Sequence, residues 1–90
     1  MERVDRVIEL SDVYVRYEPN VNFGTVYLFN RKNGIFYEGD NCLNELIELI
    51  DGTRSVENIC DIIEQKYENS HDVVVSIINE LIHKGFVILK

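Results

Sequence analysis

The chain has 90 residues, 46% of them hydrophobic, and nine Lys and Arg against sixteen Asp and Glu give a net charge of −7. That length suits one domain with a modest core and excludes a deep enclosed pocket. The apolar share and its regular periodicities exclude disorder, and the acidic balance disfavours binding to a phosphate backbone.

The N-terminus, MERVDRVIEL, is too charged and its apolar run too short for a signal peptide. No run nears the roughly 18 apolar residues of a membrane span, so a cytoplasmic protein without membrane contact is expected. Val4, Val7, Ile8 and Leu10 have a loose helical spacing, and residues 1–11 read as a mobile arm or as one docked helical turn. Val13-Tyr14-Val15-Arg16-Tyr17 is a strand of β-branched and aromatic residues, ended by Pro19-Asn20. Residues 18–24 form a loop, and Thr25-Val26-Tyr27-Leu28-Phe29 is a second strand. Asn33-Gly34 signals a type I′ hairpin into a third strand, Ile35-Phe36-Tyr37, completing an antiparallel meander. Apart from Glu38 this third strand lacks the charges or Pro that blunt an edge. Either a neighbouring helix or loop covers that edge, or it stays open for a partner strand. The alternation does not choose whether Phe36 or Tyr37 faces the core.

From Leu43 the period becomes helical, with Leu46, Ile47 and Ile50 at i+3, i+4 and i+7. Asp51-Gly52 stops this helix in a turn. Ser55 caps a second helix from Val56 to about Glu68, with Glu57 in its first turn. Asn69 and Ser70 cap a third, from His71 to about Lys84, which Gly85 ends before the extended piece Phe86-Val87-Ile88-Leu89. At about 100° per residue, with Val73 at zero, the third helix carries Ile77, Leu81, Val74, Ile78, Ile82 and Val75 over an arc of roughly 200°. One buried face requires about half of that. The helix is therefore sandwiched, or one shoulder of the arc belongs to a groove.

No phosphate loop, HExxH or nucleophile elbow is present, so no catalytic residue is assigned and an enzyme is not expected. Cys42 and Cys60 lack a CxxC spacing or a nearby His; they read as reduced thiols in or near the core, with no metal or other cofactor. Acid pairs such as Glu45 with Glu48, and Asp61 with Glu64, read as solvated charge. An open strand edge beside an over-wide apolar helix is instead the layout for adding a peptide strand.

LIDGTRSVENI (Leu49 to Ile59), followed by an amphipathic helix and NELIHKGFVI (Asn79 to Ile88), resembles the PqqD-like family of small peptide chaperones, the recognition elements of ribosomally made, modified peptides. Val15-Arg16-Tyr17-Glu18-Pro19 with Phe23-Gly24 and Tyr27 is similar to the start of mycofactocin-type members that serve radical SAM maturases. Two stretches depart from that pattern: Tyr37 to Asp40 before the first helix, and a longer loop from Asn20 to Phe23. The resemblance implies a single domain over residues 1–90, α+β and winged-helix-like, with a three-stranded antiparallel sheet followed by three helices. It implies a non-catalytic chaperone that presents a precursor's leader peptide to a modifying enzyme, a radical SAM maturase. The leader would lie as an added strand between the third strand (Ile35, Phe36, Tyr37, Glu38) and the third helix (Val73, Val74, Ile77, Leu81, Lys84). The protein would be a monomer or weak dimer. The alternatives are a winged-helix DNA-binding protein, or a lasso-peptide-type recognition subunit working with a leader protease.

Overall fold

The computed structural model describes residues 6–90. It is a small α+β domain with two antiparallel sheets and three helices. The meander expected from the sequence is present as β2 (Val13–Glu18), β3 (Thr25–Asn30) and β4 (Phe36–Gly39), with β3 in the centre. The three helices follow as α1 (Asn41–Leu49), α2 (Val56–Lys66) and α3 (His71–His83). Asp40 caps α1, its carboxylate accepting from the N–H groups of Cys42 and Leu43, and Ser55 Oγ caps α2 by accepting from Asn58 N at 3.1 Å.

The second sheet is a departure from the expected layout. Residues Val7–Leu10 form β1, the central strand of a sheet ordered β5-β1-β6, with β5 at Asp51–Ser55 and β6 at Val87–Leu89. The arm or helical turn expected for this segment is thus a strand from Val7 onward, with Ile8 fully buried; Val4 lies outside the described residues. The stop after α1 is also more than a turn. Asp51-Gly52 opens β5, and Gly52, at φ +84°, sits where β5 carries extra residues against β1. Only Gly adopts that conformation without strain.

The β3–β4 connection differs from a two-residue type I′ turn. Asn30 N–H donates to Ile35 O and Gly34 N–H to Asn30 O, which makes a four-residue loop in which only Gly34 has positive φ. Asn33 is released from the turn conformation because its own side chain is used: Oδ1 accepts from Ile35 N at 3.0 Å.

The core lies where the two sheets and the helices meet. It takes Ile8 from β1, Val26 and Leu28 from β3, Leu43 and Leu46 from α1, Ile59 and Ile63 from α2, and Val74, Ile78 and Leu81 from α3. Phe86 closes it, and the turn that delivers Phe86 is a full Schellman motif. Phe86 N–H donates to Leu81 O at 2.9 Å and Gly85 N–H to Ile82 O at 3.1 Å, with Gly85 at φ +82°.

Candidate functional site

Among the described residues, β4 pairs only with β3, so its other edge has no strand partner. Asn30 N–H to Ile35 O starts the β3–β4 ladder with a hydrogen-bonded pair. In antiparallel pairing such pairs alternate with non-bonded ones. The register then bonds Leu28 to Tyr37 and Val26 to Gly39, and turns the backbone N–H and C=O of Phe36 and Glu38 toward the open edge. A concavity of about 530 Å³ at this edge is lined by Tyr27, Phe36, Tyr37 and Glu38.

The faces of β4 are now assigned. Tyr37 points inward with Leu28, packs against the core and meets Phe86 ring to ring at 5.9 Å. Phe36 points the other way, is 71% exposed and lies on Phe29 at 4.8 Å. Ile35 and Glu38 are exposed, Ile35 standing just before the strand.

Three side chains set β4 against α3. Tyr37 Oη donates to Glu80 Oε1 at 2.7 Å. At the C-terminal end of α3, Asn33 Nδ2 donates to Lys84 O at 3.2 Å, and Asn30 Nδ2 donates to Gly85 O at 3.0 Å. The Lys84 carbonyl is among those a helix end leaves unsatisfied, so the hairpin doubles as part of the cap of α3. Asn30 is buried, and Lys32 N–H fills its Oδ1 at 2.9 Å. Burial and the Glu80 bond together push the Tyr37 hydroxyl up to about 12, with burial the larger cause.

The helix wall differs from the one expected. Val74 and Leu81 are fully buried, so they are core residues and not cleft lining. The buried stripe of α3 is Val74, Ile78 and Leu81, the middle of the wide apolar arc. Val73, more than half exposed, and half-buried Ile77 form one shoulder, while Val75 and Ile82 pack half-buried on the other. Lys84 is the C-cap residue of α3, beside the β3–β4 loop through its carbonyl. No α3 residue lines the concavity at the β4 edge. Strand and helix are thus tied together by Tyr37, Asn33 and Asn30, and Val73 is the exposed residue of the apolar arc, with Ile77 half-buried beside it.

That Asn30, Asn33 and Glu80 tie the hairpin to α3 escaped the sequence reading, which saw Asn33 only as a turn residue. The only local hint was a pair of Asn residues flanking a turn, and their partners lie 43 to 55 residues away. Glu45 also has more to do than face solvent. It accepts from Lys66 Nζ at 2.9 Å and from the Tyr67 hydroxyl, which lowers its carboxyl and ties α1 to the end of α2.

Cys42 and Cys60 are free thiols, the latter fully buried. Among the described residues, no group of three or more His, Cys, Asp or Glu side chains is placed to hold a metal ion, and no helix is long and apolar enough to cross a membrane. Comparison with protein families, curated proteins and solved structures finds no match to this chain.

Proposed function

We propose that this chain is a non-catalytic peptide-recognition domain of the PqqD-like kind, which binds the leader of a ribosomally made precursor and presents it to a modifying enzyme. The observation that carries the reading is the unpaired edge of β4, where the backbone groups of Phe36 and Glu38 are turned outward beside α3. A peptide backbone adding there would gain main-chain hydrogen bonds, and its alternate side chains would meet the edge concavity on one face and the side of α3 that carries Glu80 on the other. The outer edge of β2 is less suited, because Arg16 and Glu18 sit on that strand and Pro19 follows it. The modifying enzyme is a radical SAM maturase on the sequence resemblance, and the setting is the cytoplasm, where free thiols persist.

Duplex DNA is the weaker reading. A recognition helix needs basic side chains, whereas α3 exposes Asp72 and Glu80 on a chain of net charge −7. The test is fluorescence anisotropy with labelled leader peptides encoded near the gene, each beside a scrambled control. Saturable binding of one leader at least about tenfold tighter than its scramble, or about 1.4 kcal/mol, is expected. Equal binding of leader and scramble would remove the proposal.

A further inference from the structure

The β2–β3–β4 sheet has a second face, turned away from the helices, which the peptide reading uses only at its β4 margin, the concavity of Tyr27, Phe36 and Glu38. Cross-strand register places Tyr14, Phe29 and Phe36 in one row across this face, and Arg16, Tyr27 and Glu38 in the next. Phe36 is 71% and Tyr14 49% exposed; the first row with Arg16, Tyr27 and Glu18 walls a depression of about 440 Å³, and Glu38 lies beside it in the concavity at the β4 edge. Singly exposed apolar residues are ordinary on a protein surface, but a continuous aromatic row marks an interaction surface.

The charges say what kind. The second row runs positive, neutral, negative from β2 to β4: Arg16, whose Nε already donates to Glu18 two residues along β2 while the rest of its guanidinium stays exposed, then Tyr27, then Glu38. A two-fold axis lying along β3 in the plane of contact exchanges β2 with β4. It sets Arg16 of one copy opposite Glu38 of the other, and Glu38 opposite Arg16. The same operation puts Phe29 on Phe29, Tyr27 on Tyr27 and Tyr14 on Phe36. The face is complementary to itself, which is the requirement for an isologous interface. A nucleic acid or an anionic membrane would meet Glu18 and Glu38 beside Arg16 and gains no such match.

We infer that this face is a homodimer interface, two copies packing sheet on sheet about a two-fold axis along β3. Strands about 4.8 Å apart and about 20 Å long give a face of only a few hundred Å² per copy. That is below the roughly 800 Å² per partner of a standard interface, so the dimer is weak and concentration-dependent. The backbone edge of β4 lies at the side of the contact, but the contact covers Phe36 and Glu38 of the edge concavity, so a leader and a second copy would compete there, and association without leader tests the inference separately.

Sedimentation velocity of the full chain from about 10 μM to about 1 mM tests it, since weak association shows over that range. Wild type is expected to shift from monomer toward dimer. Arg16→Glu and Glu38→Arg each replace both cross-copy ion pairs by like-charge contacts, and each is expected to weaken association at least about tenfold. The two single variants mixed in equal amounts regain both ion pairs in a heterodimer, so the mixture is expected to associate as wild type does. Both side chains are exposed, and circular dichroism checks that each variant is folded. A wild type that stays monomeric at about 1 mM, or folded variants that dimerise alone as well as wild type, would overturn the inference. So would a mixture that does not associate.

Discussion

Tyr37 on β4 donates its hydroxyl to Glu80 on α3 at 2.7 Å, and this is the contact that joins the open strand edge to the helix beside it. Because Tyr37 is half-buried and bonded in its neutral form, its hydroxyl ionises near 12 and not at the ordinary 10. A raised value means that the stabilisation is complete below pH 10 and is lost as pH rises from 10 through about 12. Tyr37→Phe keeps the ring against Phe86 and removes the titration. It is expected to cost about 1 kcal/mol at neutral pH, a typical side-chain hydrogen bond. The gap between the two proteins in urea unfolding should then narrow above pH 10.

Neighbouring positions on β4 should respond in opposite ways. Phe36→Asp places a charge on an exposed outer face and is expected to cost under about 1 kcal/mol of stability. Tyr37→Asp places one against the core beside Phe86 and is expected to cost more than about 3 kcal/mol. Thermal unfolding of the two variants distinguishes them, and similar losses would mean the faces of β4 are wrongly assigned.

Asn30 holds the hairpin to the end of α3. Asn30→Ala removes a buried side chain and leaves the part-buried carbonyl of Gly85 without its donor and Lys32 N–H, on an exposed residue, without its acceptor. A loss of about 1 kcal/mol is expected, in the range for a side-chain hydrogen bond whose partners reach water. Leader affinity should fall with it, since the spacing of β4 from α3 is set there. Denaturant unfolding and the anisotropy titration read the two effects separately.

The thiols offer a test of the packing. Burial, with the carboxylates of Glu57, Asp61 and Glu64 adding to it, pushes Cys60 up to about 11. At about pH 8 its thiolate is scarce as well as shielded. An alkylating reagent is therefore expected to label half-buried Cys42 slowly and Cys60 only on unfolding. Mass spectrometry of the labelled chain reads both.

The meander and the three helices could be read from the sequence because each is written locally. Strand residues such as Val13-Tyr14-Val15 are β-branched and aromatic, and Leu43, Leu46 and Ile47 recur at helical spacing. The second sheet carries no such record. β5 is DGTRS, without one apolar residue, and pairs through its backbone alone; β1 finds its partners some 44 and 80 residues along the chain. The helix face was half legible for a related reason. Periodicity showed that the apolar arc of α3 is wide, but its neighbours decide which part is covered. They bury Val74, Ile78 and Leu81 and leave Val73 and Ile77 at the side.

The most direct test of the edge reading is amide hydrogen exchange followed by NMR, with and without saturating leader peptide. Register turns the N–H groups of Phe36 and Glu38 to the open edge and that of Tyr37 toward Leu28. The account predicts that Phe36 and Glu38 exchange fast in the free protein and slow at least about a hundredfold when the leader binds, with Tyr37 protected throughout. A leader that binds while the Phe36 and Glu38 amides exchange as before would contradict strand addition at β4.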